Sequence, residues 1–148
     1  MNRMDIRTLT KEDIAACARL LIKSYNQPPW RYNWVPEKAE KYLLEYFEIK
    51  QFVGFTLFDG PEMTGAVFAH TKTWWTTDQL YIDEIFVSSD KQRSGYGKAL
   101  LEHTAKWAKD HGFPTVFLMT NKYMPSFKFY NKNEFSHADH FIFMFKQV

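Results

Sequence analysis

Apolar and polar positions alternate over Ile6-Arg7-Thr8-Leu9, which predicts a short first strand. Thr10 then reads as a helix N-cap, with Glu12 and Asp13 in the first turn. Ile14, Cys17, Ala18, Leu21, Ile22 and Tyr25 recur at helical spacing, and Pro28-Pro29 closes that helix. A second helix opens at Pro36 and turns Ala39, Leu43, Tyr46 and Phe47 to one face. Phe52 to Phe58 reads as a strand, Asp59-Gly60-Pro61 as a turn, and Met63 to His70 as the hairpin partner. Leu80 to Val87 is a further strong strand. A helix from about Gly95 to His111 carries Leu100, Leu101, Thr104, Trp107 and Ala108 on one face, leaves His103 and His111 toward solvent, and ends at Gly112. Thr115 to Met119 is a short buried strand and Pro125 to Lys132 a short helix. Phe135 to Phe145 closes the chain as one long strand or two shorter ones. The order β-α-α-β-β-β-α-β-α-β predicts a mixed α/β fold in a single domain spanning residues 1–148.

Composition narrows the function classes. A 148-residue chain with 45% hydrophobic and 24% charged residues has ordinary globular proportions. Aromatics reach 18%, which puts some rings outside one small core. A net charge of +2 is too mild to point to nucleic acid. No apolar run approaches the roughly 18 residues needed to span a bilayer, so no membrane partner is expected. Met1-Asn2-Arg3-Met4-Asp5 leads into no apolar signal region. Cys17 is the only cysteine, which excludes an internal disulfide and a multi-cysteine zinc site and suits a reducing cytoplasm.

The stretch Lys91-Gln92-Arg93-Ser94-Gly95-Tyr96-Gly97-Lys98 joins a strand to a helix. A helix N-terminus offers free backbone N–H groups and the positive end of the dipole. Glycines let a ligand approach the backbone, and Gln92, Arg93 and Lys98 add donors and positive charge, so the stretch is a candidate phosphate site. It is not a P-loop, because Ala99 follows Gly97-Lys98 and position 92 is not glycine. It is not a dinucleotide fingerprint either, because position 100 is leucine.

Gln92-Arg93-Ser94-Gly95-Tyr96-Gly97 resembles the Q/R-x-x-G-x-G/A motif of the GNAT superfamily of acetyl-CoA-dependent N-acetyltransferases. Phe129-Tyr130-Asn131-Lys132-Asn133-Glu134-Phe135 resembles that family's F-Y-x-K-x-G-F segment, with Glu134 in place of the usual glycine. Asn121 is similar to the family's pantetheine-contacting asparagine. The resemblance implies a mixed, mostly antiparallel sheet flanked by helices. It implies acetyl-CoA as co-substrate and no metal. Backbone N–H groups from Arg93 to Lys98, through Ser94, Gly95, Tyr96 and Gly97, would cradle the pyrophosphate. The main chain of Phe86 and Val87 would pair with pantetheine where two strands splay apart. A homodimer is compatible with the resemblance.

Acetyl transfer to an amine needs a proton acceptor, a stabilised carbonyl oxygen and a proton donor for the leaving thiolate. Asp83 and Glu84 lie inside the apolar run Leu80 to Val87, where an unpaired carboxylate is costly. Adjacent residues on a regular strand face opposite ways, so at most one meets the acceptor unless a bulge intervenes. Glu84 is favoured as general base, with Asp83 the alternative. Tyr130 is the candidate general acid, and the Val87 N–H a candidate donor to the carbonyl oxygen. Trp30, Tyr32 and Trp34 in the first interhelix loop, and Trp75 beside Trp74, are candidate contacts for a small amine by stacking and cation–π attraction. His137-Ala138-Asp139-His140 lacks a metal-binding helical pattern and reads as surface histidines. The leading expectation is an acetyl-CoA-dependent N-acetyltransferase for a small amine. The alternatives are a protein or peptide N-acetyltransferase, and a non-catalytic acyl-CoA sensor, which would need neither the carboxylates nor Tyr130.

Overall fold

Among the described residues five strands form one sheet in the order β1-β2-β3-β4-β5: β1 (Met4–Thr8), β2 (Phe52–Asp59), β3 (Glu62–Lys72), β4 (Gln79–Val87) and β5 (Thr115–Leu118). The computed structural model describes residues 4–92 and 94–148, so Arg93 of the glycine-bearing stretch lies outside the described residues. The first four strands are antiparallel, and β5 runs parallel to β4. That parallel step needs a crossover, and helix α3 (Tyr96–Asp110) supplies it. The other helices are α1 (Ile14–Tyr25), α2 (Pro36–Phe47) and α4 (Pro125–Lys132). A short 3₁₀ turn precedes α1, held where the Asp13 carboxylate accepts the Thr10 N–H at 2.8 Å.

The helices cover the two faces of the sheet. On one face Cys17, Leu21, Ala39 and Leu43 of α1 and α2 pack on Ala66, Phe68 and Phe86. On the other, Leu100, Leu101 and Ala108 of α3 pack on Leu57, Val67, Leu80 and Ile82. Truncating a fully buried group such as Phe68 would cost about 3–5 kcal/mol. His103 joins this second layer. Its ring meets Phe55 edge-on with centroids 4.6 Å apart, and burial lowers its pKa, so it does not stand toward solvent as its helix position suggested.

The strand expected over Phe135 to Phe145 does not form; residues 133–148 contain no helix or strand. The element order is therefore β-α-α-β-β-β-α-β-α. The Phe135 N–H bonds the Tyr130 carbonyl at 3.0 Å and its ring packs on Tyr130, which ties the chain to α4. A turn closed by Phe141 N–H to the Ala138 carbonyl follows, and residues 141–145 leave the body without a neighbouring strand. An apolar, β-prone run satisfies only half of what a strand requires; the other half is a partner edge.

Glu134 adopts φ 70°, the left-handed conformation that the glycine at this point of the resembling motif would take freely. A side chain there costs roughly 1–2 kcal/mol, partly offset by its smaller loss of unfolded-state freedom. Glu134→Gly is expected to stabilise the fold by about 0.5–1 kcal/mol. A shift of the urea midpoint to higher concentration at unchanged slope checks this.

Candidate active site

β4 pairs with β3 in one register up to Ile82, opposite Ala69, and resumes one residue later with Glu84 opposite Phe68. Asp83 is the extra residue of a β-bulge. The bulge inverts the facing of everything after it. Leu80 and Ile82, then Ile85 and Val87, pack toward α3, whereas Phe86 packs toward α1 and α2. Asp83 and Glu84 thereby line one cavity of about 360 Å³, against the expectation for a regular strand. Two carboxylates in the middle of a sheet are thus gathered into a cleft rather than split between two cores.

The cavity wall is largely aromatic: Tyr25, Trp30, Tyr32, Trp34, Tyr42 and Tyr130. Tyr25 ends α1 and stacks on Tyr32 at 5.8 Å while meeting Trp30 edge-on at 5.5 Å. Tyr42 of α2 lies 4.9 Å from the Trp34 ring and 5.0 Å from Tyr46. Asn26 holds the loop that carries the three candidate rings. Its side chain donates to the Trp34 carbonyl at 3.0 Å and accepts the Trp34 N–H at 2.9 Å. The Tyr32 N–H adds a bond to the Tyr25 carbonyl at 2.8 Å. Trp75 is not brought to this site: it is 91% exposed and outside the cavity lining. Tyr25, Tyr42 and Asn26 carry site geometry that the sequence reading did not assign. The four-residue spacing of Tyr42 and Tyr46 beside an aromatic loop was the available signal.

Electrostatics separates the titratable groups. Burial pushes the Glu84 carboxyl up to about 7; the nearby Tyr42 hydroxyl offsets part of that rise and the charge of Asp83 adds to it. Burial also raises Asp83, opposed by His70, whose Nδ1 lies 2.6 Å from its carboxylate. Tyr130 is held well above the usual phenol range by burial and by Glu84, so it keeps its proton at neutral pH. The Cys17 thiol is buried and pushed up to about 12, by burial and then by Asp13, so it offers no thiolate nucleophile. A wider depression of about 490 Å³ lies beside α1, lined by Asp13, Arg19, Lys23 and Glu62 among others, and it holds none of Asp83, Glu84 and Tyr130.

Beside the cavity the sheet opens. β5 pairs with β4 only from Gln79 to Ile82, so β4 runs on through Phe86 and Val87 without β5 alongside. Asn121, three residues past β5, lines the cavity, and its side-chain carbonyl accepts the Tyr123 N–H at 2.9 Å. Gly95 caps α3 at φ 83°, and the first helical bond runs from Ala99 N–H to its carbonyl. The N–H groups before Ala99 therefore have no partner inside the helix. Gln92 reaches back to the Val87 carbonyl at 3.3 Å, Ser94 is exposed, and Lys98 lies 3.8 Å from Glu102. The Tyr96 hydroxyl turns away to Asp59 at 2.7 Å, which anchors the loop from outside. Gly97 has a packing role, since a Cβ there would meet the Phe129 ring at 2.9 Å.

A model of the acetyltransferase (GNAT) family matches residues 14–135. The chain belongs to the GNAT family. Solved structures share the fold over nearly the whole chain. A transcriptional regulator from Bacillus halodurans C-125 superposes with TM-score 0.78 at 19% identity, covering 97% of this chain and 99% of that one. An aminoglycoside N-acetyltransferase solved with CoA gives TM-score 0.78 at 17% identity, covering 100% and 97%. An aminoglycoside acetyltransferase from an uncultured soil metagenomic sample, solved with sisomicin, gives 0.75 at 17% identity, covering 99% and 97%. A comparison with curated protein sequences finds no match. GNAT proteins use acetyl-CoA. The opened β4–β5 seam and the free N–H groups at the start of α3 have the chemistry to hold its pantetheine amides and its pyrophosphate. The Val87 carbonyl already accepts from Ser24 at 2.9 Å and from Gln92, so a pantetheine amide would share that oxygen.

Asn26→Ala removes both side-chain bonds to Trp34, a loss of about 1–3 kcal/mol confined to the aromatic loop. Trypsin is expected to cut after the exposed Arg31 faster in this variant than in the parent, read by mass spectrometry at a fixed digestion time.

Proposed function

We propose that this GNAT protein moves an acetyl group from acetyl-CoA directly to a primary amine of a small molecule. The observation that carries the reading is the bulge at Asp83, which turns two carboxylates into one aromatic-walled cavity that also holds Tyr130. Acetyl-CoA, when bound, supplies an acetyl group already activated as a thioester. Glu84, with its carboxyl near 7, takes a proton from the acceptor's ammonium, through a water where the amine does not reach it, so that the neutral amine forms the new N–C bond as the C–S bond of the thioester breaks. Asp83, paired with His70, adds negative charge that favours a cationic acceptor. Tyr130 gives its proton to the departing sulfur, a role that requires the phenol to stay protonated as it does here. The Val87 N–H donates to the thioester oxygen as charge builds there. Backbone N–H groups of residues 94–98 hold the pyrophosphate, Phe86 and Val87 pair with pantetheine by main chain, and Asn121 contacts it by its side-chain amide. The inert Cys17 supports direct transfer rather than an acyl-cysteine route, and a reducing cytoplasm suits its lone thiol.

The aromatic wall and paired acids support a small cationic acceptor over a protein tail. Two of the similar structures are aminoglycoside acetyltransferases, and amino-bearing small molecules of that kind are the first acceptors to try. Thiol release measured against a panel of amines tests the reaction. Tight acetyl-CoA binding with no turnover on any amine would leave a sensor as the better account.

A carboxylate base works only when ionised, so kcat/KM is expected to rise with pH through about 7. Glu84→Gln is expected to lower it by about 10²-fold or more and to flatten that limb. Tyr130→Phe is expected to lower kcat by about tenfold or more while acetyl-CoA affinity, from isothermal titration, changes little.

A further inference from the structure

The bulge leaves Asp83 with no Cα partner on β3: Ala69 stands opposite Ile82, and Phe68 opposite Glu84. Its side chain is tied to β3 all the same. His70, next after Ala69, brings its Nδ1 to 2.6 Å from the Asp83 carboxylate. The imidazole is itself steadied by the Tyr81 ring, on which it stacks with centroids 5.6 Å apart and planes 25° from parallel. Asp83 lines the cavity and His70 does not, so the histidine supports the carboxylate from outside the cleft. The Asp83 side chain is 13% exposed and that of His70 26%, which makes the histidine the member of the pair more open to water.

The cleft has need of such a partner. Among the described residues its lining contains no lysine, arginine or histidine. The titratable groups around Asp83 are Glu84 beside it on β4, Tyr42 and Tyr46 from α2, Tyr25 from α1 and Tyr130 from α4, each neutral or negative at neutral pH. Two neighbouring carboxyls in that setting would share protons, and their titrations would merge. His70 separates them. A neutral His70 donates its Nδ1–H to Asp83 and leaves the pair with charge −1, whereas a protonated His70 donates the same bond and leaves it with 0. In both states Asp83 accepts and carries no proton. The side-chain donor near Glu84 is the Tyr42 phenol, which is neutral.

We propose that His70 is a positioning residue: it keeps Asp83 a fixed anion that holds the positive charge of the acceptor, and leaves Glu84 as the carboxyl of the two that exchanges a proton. The acceptor's part in this rests on the reaction proposed above; the division of labour between the two acids does not.

Carboxyl carbon-13 spectra of the full chain, recorded over pH without substrate, test that division. Asp83→Asn and Glu84→Gln assign the two signals. In the parent, Glu84 is expected to titrate near 7 while Asp83 stays ionised through that range. His70→Phe keeps a ring beside Tyr81 and removes the donor, and Asp83 is expected to take up its proton at higher pH than in the parent. His70→Asn sets an amide N–H where Nδ1 stood and is expected to return Asp83 most of the way. With an amine that the parent acetylates, His70→Phe is expected to raise KM by about tenfold or more while kcat changes by less than about threefold, and His70→Asn to recover most of the loss. Unchanged acetyl-CoA affinity in both variants reports an intact fold. The proposal is overturned if Asp83 rather than Glu84 titrates near 7 in the parent, an outcome that needs no His70 variant. It is overturned equally if His70→Phe leaves the Asp83 titration in place, or leaves KM in place. A parent that acetylates no amine would remove the reaction, while the Asp83 titrations would still decide the division of labour.

Discussion

A β-sheet strand buried on both faces has no room for two neighbouring carboxylates, yet β4 carries Asp83 and Glu84 at its centre. The bulge at Asp83 resolves the conflict. One unpaired residue shifts the facing of the strand. The apolar groups before and after it reach the α3 layer, and both acids reach the same cleft on the other side. Burial in that cleft sets the acidity of Glu84, and Glu84 in turn helps keep Tyr130 and Tyr25 protonated. Position, charge and proton inventory thus descend from one extra backbone unit.

The same strand supplies the second half of the site by what it lacks. Past Ile82 no strand among the described residues pairs with it on the β5 side, and the side chains of Tyr25, Ser24 and Gln92 reach its Ile85 and Val87 carbonyls instead. The start of α3 stands just beyond, with N–H groups unclaimed by the helix. A seam for amides next to a helix start for an anion is complementary to a molecule that carries both.

Much of this was legible in the sequence. Helical stripes and hairpin turns located every helix and the first five strands, because those signals are local. The loop after β4 and the segment around Tyr130 were legible as motifs. The bulge was not read, although its trace is present: the residues facing α3 fall at 80, 82, 85 and 87, and the step of three breaks the alternation. Asn26 and His70 were missed because each acts on a partner that only the fold brings near, Trp34 across a loop and Asp83 across a strand pair. Trp75 looked like a site residue from its chemistry alone, and nothing local told that its loop faces water. The last strand failed for a related reason. Its pattern is correct for a strand, but pairing is a property of two segments, and the sequence of one does not reveal whether the other is present.

The contact between Gly97 and Phe129 has a mechanical side. The start of α3 and the start of the segment bearing Tyr130 touch through a ring seated where a side chain would otherwise stand. Phe129 and Tyr130 are consecutive, and their rings lie 5.4 Å apart. Position 97 is thereby a packing position as well as a loop position: a side chain there would have to displace the Phe129 ring, and with it the immediate neighbour of Tyr130.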